Sequence, residues 1–409
     1  MLCYFLLHLM QQPYPIVFMA IRHIFFPVKA IIVIAFLTLC NNTLHAQYFT
    51  SASGNISAAD TAGKYLFGSA ELFKAPGLGY YLNPALSPVN LGGPALRQEL
   101  QATISKSQER KKLMAYLREL DTNDDKAANR SHKKLFYNLA NAFARLKLYP
   151  LAMKCFFKTL EHTAESNNTD SLFADTADFN AGYLNFTTKD DTLLDNRQGL
   201  LLPQGQQLHK SPAINYQNII KTFDDGKKAV AYAMLIHVKQ PIPGKRKVYL
   251  FTNSGHTYIT LIKYNNDSSY VSLSFGFYPK KSHLLAGTPL FPTAGSTYRN
   301  DANYKWDEVT GKFISKRKFD KILALTKKYD GLKYHLSTNN CTDFSLKAAL
   351  MADIHIEDTV GKWPLGRGNN PGITGQSLLQ GKVYNGRPGN QDNLFIDHDE
   401  MIAPFKQAN

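Results

Sequence analysis

YHLSTNNCTDFSLKAALM, Tyr334 to Met351, sets a cysteine behind a polar run and ahead of good helix formers. Ser337, Thr338, Asn339 and Asn340 are helix-capping residue types, and Phe344, Ala348 and Met351 follow at helical spacing. The pattern predicts a helix with Cys341 at or just inside its N-terminus and Thr342 and Asp343 in its first turn. Asp343 suits that end, because the free N–H groups of a first turn favour negative charge. A thiolate there gains from the same field. A free cysteine attacks only as thiolate, and an ordinary pKa of about 8.5 leaves little of that form at neutral pH. A helix N-terminus and a neighbouring histidine are the two local devices that correct this.

The other cysteines sharpen the contrast. Of four, Cys3 and Cys40 belong to the apolar N-terminal region, and Cys155 lies in the helical stretch PLAMKCFFKTL, where it reads as a packing residue. Two cysteines in the remaining chain do not make a disulfide scaffold. Arg22, His23 and Lys29 precede the apolar run AIIVIAFLTLC, and NNTLHAQ follows with Ala46 at the expected cleavage point. This is the pattern of a secretory signal, with Met19 as an alternative start, and it predicts an exported chain. A retained membrane anchor is the rival reading, although the run is short for a span. A lipoprotein site at Cys40 is disfavoured by Leu39, which stands where a small residue is wanted.

The chain has 409 residues, 44% hydrophobic and 19% charged, with a net charge of +15. That balance suits a globular protein of about two domains. The positive charge is dispersed, and its one dense cluster, Arg110 to Lys112, sits on an expected helix beside acidic residues. With no aromatic-interleaved basic stripe, nucleic acid is not expected as a partner.

Leu135, Leu139, Ala142, Phe143 and Leu146, then Ala152, Cys155, Phe156 and Leu160, recur at helical spacing, with Pro150 suited to a first turn. The two helices resemble one tetratricopeptide unit. A single unit cannot bury its faces as a repeat array does, so a small helical prodomain or a module that docks a protein partner is the expectation. Further on, AVAYAMLIHV and KVYLF have strand composition. HTYITLIKYNNDSSYVSLSFGFYP reads as a hairpin turning at NNDSS. Its alternation puts Ile259, Leu261, Val271, Leu273 and Phe275 on one face, and His256, Tyr258, Thr260, Ser272 and Ser274 on the other. An amphipathic helix ending at Gly331 follows. His256, just after Gly255 and at the start of a strand, can project from a sheet end toward a helix N-terminus. His283 and His335 are its rivals.

GHTYITL…FGFYP followed by YHLSTNNCTDFSLKAAL resembles the circularly permuted papain-like cysteine proteins. These are relatives of NlpC-type cell-wall peptidases and of lecithin–retinol acyltransferase, in which the histidine strand precedes the nucleophile helix. The likeness covers roughly residues 230–380. It implies an α+β fold with a papain-like antiparallel sheet and a nucleophile-bearing helix, preceded here by the helical region. It implies Cys341 as nucleophile, His256 as general base, and a third polar residue on the next strand, for which hairpin register favours Ser274. Asn340, together with the backbone N–H of Cys341, is the candidate oxyanion donor. The chain then divides into 1–46, a signal peptide or membrane segment; 47–95, irregular and rich in Gly and Pro; 96–162, helical; 163–225, a linker or irregular cover; and 226–409, the permuted papain-like domain.

The expected chemistry is that of an exported hydrolase of amide or ester bonds, with no metal and no cofactor. The substrate would be a cell-wall peptide, or a lipid acyl group in the same site. An inert surface or periplasmic binding protein is the reading from another class. Weaker patterns give way to structural readings. Asp121–Lys126 lacks the Gly and Glu of a calcium loop, with Lys126 and His132 in their places. Asp397, His398, Asp399 and Glu400 read as an acidic loop rather than a metal site. Ser377 has no nucleophile elbow around it, and GRGNNPG lacks the elements of a phosphate loop. Tyr278, Trp306 and Trp363 suit either a groove or a core.

Overall fold

Alternation of apolar and polar residues from His256 onward builds the centre of the molecule. In the computed structural model the described residues are 106–122, 129–161, 181–195, 211–249, 253–280, 286–288, 290–363 and 366–398. All belong to the unit Ser69–Asn409; residues 1–68, where the export signal is expected, lie outside them, as does the 47–95 segment. Strand β3 (His256–Asn265) turns through Asn265–Ser269, with Ser268 at φ 63°, and returns as β4 (Tyr270–Lys280).

Around this hairpin the sheet runs β1–β5–β4–β3–β2–β6–β12, antiparallel at every pairing, with β7 added beside β5. The other strands are β1 (Ala213–Ile214), β2 (Ala229–Lys239), β5 (Thr293–Asn300), β6 (Glu308–Ile314), β7 (Tyr334–His335) and β12 (Phe395–His398). Strands β8 (Ile354–Ile356) and β11 (Val383–Asn385) form one small ribbon, and β9 (Val360–Trp363) and β10 (Gly366–Asn369) another. The architecture is α+β around one large antiparallel sheet.

Two apolar layers cover the sheet, because alternation leaves it hydrophobic on both faces. On one face α5 (Tyr216–Phe223), α6 (Lys316–Tyr329), α7 (Cys341–Met351) and α8 (Pro371–Leu379) bury Ile236, Ile259, Phe275, Phe277 and Tyr298. Phe344 of α7 meets Tyr298 at 5.5 Å between ring centroids and Tyr329 of α6 at 5.2 Å. Burying an aromatic side chain of this kind is worth about 1.5–3 kcal/mol. Helix α6 ends at Tyr329, and Gly331, at φ +79°, turns the chain out of it.

The opposite face is covered by α2 (Asn129–Arg145) and α3 (Tyr149–Glu161), flanked by α1 (Ser107–Thr122). Leu135, Leu139 and Phe143 of α2 and Cys155 and Phe157 of α3 share one core with Tyr258, Tyr264, Trp306 and Phe395. Phe157 packs edge-on against Phe313 at 5.7 Å, and Tyr264 donates to Pro150 O at 2.8 Å. The helices expected as a prodomain or docking module are therefore a layer of the sheet domain itself. A partner docked through them would have to use what this packing leaves exposed.

Other expectations change with the structure. Within KVYLF, the described residues Lys247, Val248 and Tyr249 are not in a strand, and Asn370 at the head of α8 donates from Nδ2 to Val248 O at 2.7 Å; residues 250–252 lie outside the described set. The segment read as an irregular cover contains α5 and α4 (Thr188–Asp195). Asp190 of α4 pairs with Lys154 of α3 at 2.9 Å, both side chains fully buried. Asp397 accepts from Arg145 at 2.8 Å and ties β12 to α2, whereas Asp399 and Glu400 lie outside the described residues. Ser377 donates to Asp358 O at 3.0 Å. Most of the Asp121–Lys126 stretch and all of residues 123–128 fall outside the description. No helix among the described residues is long and apolar enough to cross a membrane.

Candidate active site

Helix α7 begins where the capping pattern predicts. Asn340 is its N-cap, accepting from Thr342 N at 2.7 Å and Asp343 N at 3.1 Å, while Asp343 Oδ2 accepts from Asn340 N at 2.9 Å. This reciprocal box leaves Cys341 as the first helical residue, its sulfur at the positive end of the helix. Cys341 is a free thiol, 6% exposed.

His256 opens β3 after a left-handed glycine. Gly255 sits at φ +73°, and a Cβ there would stand 2.3 Å from Lys239 O, so only glycine brings the chain into the strand this way. The imidazole is buried, and its Nε2 meets Asp301 Oδ2 at 3.1 Å. That leaves Nδ1 for the sulfur, and the two groups are near enough to act on each other: Cys341 helps raise the His256 pKa, and His256 lowers that of the Cys341 thiol. Tyr278, Tyr304 and Tyr258 surround the ring, with centroids 4.2, 5.0 and 5.7 Å away. Aromatic faces of this kind favour a cation over a neutral ring.

The electrostatics oppose and then resolve. Burial drives the His256 pKa down, but Asp301, by charge and hydrogen bond, and then Cys341 overcome it and bring the value up to about 9. Burial likewise drives the Cys341 thiol up. The His256 hydrogen bond and charge, the Thr257 backbone N–H and the Thr342 hydroxyl more than offset it, so the pKa falls below the ordinary value. The two shifts both act in the direction of a thiolate–imidazolium pair.

Ser274, the expected third residue, is on the right face but elsewhere along the strand. It stands opposite Thr260, whose Oγ1 it meets at 2.7 Å; Thr260 Oγ1 in turn lies 2.8 Å from His237 Nε2. Carrying the same register on sets Tyr278, not Ser274, across from His256. The group on the imidazole is instead Asp301, one residue past β5, fully buried. Its Oδ1 accepts from Tyr278 OH at 2.6 Å and from Ser211 Oγ at 3.0 Å. Tyr278 is thus part of the site, and Trp306 belongs to the core behind it, with Nε1 donating to Tyr149 OH at 3.1 Å. Trp363 is buried in the α7-side core.

Asn340 does not fill the oxyanion role. Its Oδ1 caps the helix, and its Nδ2 donates to Leu336 O at 2.8 Å and Asn369 O at 2.9 Å, so both N–H groups are engaged. Tyr334 has the better position. It is buried, and after burial itself the Cys341 thiol is the main influence raising the pKa of its hydroxyl. Of the rival histidines, His335 Nδ1 faces Ser337 at 3.3 Å, and His283 lies outside the described residues.

Gly276 of β4 lets the pair close. A Cβ there would stand 2.6 Å from His256 Nε2 and 2.7 Å from Asp301 Oδ2. Nothing in the sequence pattern marked Asp301, Gly276 or Tyr334 beforehand, although Tyr334 lies seven positions ahead of the cysteine. Among the described residues no cluster of three His, Cys, Asp or Glu side chains could hold a metal ion. No family model, no curated protein and no solved structure matches this chain.

Proposed function

We propose that this protein is an exported thiol hydrolase of the permuted papain-like kind, acting on an amide or ester carbonyl. The observation that carries the reading is one buried line of groups: Asp301 on Nε2 of His256, and His256 against Cys341 at a helix N-terminus. This constellation activates a nucleophile and orients its proton carrier in one unit.

The Cys341 thiolate attacks the carbonyl carbon, and the carbonyl π electrons move to oxygen. The Cys341 backbone N–H and the Tyr334 hydroxyl, whose pKa the Cys341 thiol helps to raise, are the proposed donors to that oxyanion. The tetrahedral intermediate collapses as the C–N or C–O bond breaks, with the Nδ1 proton of His256 passing to the leaving group. A water then attacks the thioester, giving its proton to His256, and the carboxylic acid departs as the thiolate returns. Asp301 holds the ring in one orientation throughout. The 6% exposure of Cys341 fits a substrate that presents a narrow carbonyl-bearing segment. A cell-wall peptide matches that shape and the resemblance; acyl transfer from a lipid uses the same groups.

The test is the pH dependence of alkylation by a neutral electrophile. Cys341 is expected to react with a rate plateau extending below the free-thiol pKa, and Cys341→Ala to abolish the labelling. Reaction at Cys155 alone, or an ordinary thiol titration at Cys341, removes the hydrolase and favours an inert binding protein.

A further inference from the structure

Arg299 lies on β5, directly across from Gly276 of β4. Cross-strand neighbours stand about 5 Å apart, so its backbone adjoins the floor of the His256–Asp301 pair. Its guanidinium carbon lies 5.2 Å from the centroid of the Tyr278 ring, the ring that His256 approaches at 4.2 Å. Imidazole from β3 and guanidinium from β5 therefore flank one tyrosine on the strand between them.

Arg299 Nε is buried without a hydrogen-bond partner, and no carboxylate of the described residues pairs with the guanidinium. The nearest carboxylate in sequence, Asp301, is occupied by His256, Tyr278 and Ser211. A half-buried arginine ordinarily finds an anion, and a buried N–H left unbonded costs about 1–3 kcal/mol. The Tyr278 ring lies under the guanidinium carbon, and a planar fork held beside an aromatic ring suits bidentate capture of a carboxylate.

We propose that Arg299 is an anion-binding subsite beside Cys341 and His256, selecting acyl substrates that carry a carboxylate a few bonds from the reacting carbonyl. The selection rests on the hydrolase reading, whereas anion binding at Arg299 can be read without it.

Two measurements separate the two. In the first, the Arg299 Nε–H resonance is followed during titration with succinate and with neutral succinamide, in wild type and in Cys341→Ala. Saturable movement with succinate alone is expected, and no movement overturns the subsite. In the second, alkylation of Cys341 by a carboxyalkyl maleimide is compared with that by its methyl amide. The carboxylate-to-amide rate ratio is expected to fall about tenfold in Arg299→Gln and less in Arg299→Lys, the scale of one charge-assisted pair. Equal ratios in wild type and Arg299→Gln overturn the selective role, whatever succinate does. A thiol that labels with neither reagent while succinate still moves Nε–H sinks the hydrolase and upholds the anion site.

Discussion

The backbone carbonyl of Ser274 accepts the amide N–H of Asp301 at 2.8 Å. Strand β4 thereby pins the turn after β5 so that Asp301 Oδ2 reaches Nε2 of His256, while the Ser274 hydroxyl points into a separate pair with Thr260. The two side chains should therefore part company on substitution. Asp301→Asn is expected to slow Cys341 alkylation at neutral pH by about 10²-fold, the low end for a disabled acid–base group. It should also lower the His256 pKa, read from imidazole proton shifts, because Asp301 is the largest influence raising it. Ser274→Ala should cost about 1 kcal/mol of stability for one lost hydrogen bond and leave alkylation as it was. Equal slowing by both would return Ser274 to the site.

How much of this was legible follows from what each signal encodes. The helix at Cys341 and the β3–β4 hairpin are local, and their caps and alternation are written in neighbouring residues. Alternation assigns a face but not a place along the strand, so Ser274 was on the right side and four positions from the residue opposite His256. Asp301 depends on the pairing of β4 with β5, whose weak strand composition, TAGSTYRN, hides it. Asn340 reads equally well as donor or cap until Leu336 O and Asn369 O are seen to take both its N–H groups. The covering role of α2 and α3 was hidden because a helix's apolar face does not say what it packs against.

The pair also has a signature in stability against pH. His256 is raised from 6.5 to about 9, so alone it stabilises below pH 6.5 and that stability is lost as pH rises toward about 9. Cys341 is lowered from 9.0, so alone it stabilises above pH 9 and that stability is lost as pH falls through the folded value. Where the thiolate–imidazolium pair exists between these limits, folded and unfolded chains each bind one proton across the two groups, and the two slopes cancel. In Cys341→Ala only the histidine remains, and Asp301 still raises it. Chemical denaturation from pH 6.5 to 9 should show Cys341→Ala losing stability relative to wild type as pH rises. Parallel curves would mean the two groups do not exchange a proton.

Gly276→Ala tests the closeness of the pair without touching a titratable group. Its added methyl would stand 2.6 Å from His256 Nε2, so the imidazole or the Asp301 carboxylate has to move. Because the obstructing atoms are side-chain atoms, the sheet should keep its far-ultraviolet dichroism while Cys341 alkylation falls toward that of Asp301→Asn. Undiminished alkylation in a folded Gly276→Ala would mean that the His256–Asp301 contact contributes nothing to the thiolate.

Asn340→Ala separates the cap from catalysis. The substitution removes an N-cap, worth about 1 kcal/mol, and strips the buried Leu336 carbonyl and the part-buried Asn369 carbonyl of the Nδ2 donor, at about 1–3 kcal/mol for an unsatisfied buried group. A stability loss of about 2–4 kcal/mol is expected on these grounds, measured as a shift in urea midpoint at constant slope. Asn340→Asp keeps the Oδ1 acceptor and loses only the Nδ2 donors, so it should recover the cap and leave the two carbonyls unpaired. In both variants the oxyanion donors proposed here, Tyr334 and the Cys341 N–H, remain. Once stability is matched by temperature, turnover of an ester should fall far less in Asn340→Asp than in Tyr334→Phe, which deletes a donor outright. The opposite order would restore Asn340 as the oxyanion donor and reduce Tyr334 to packing.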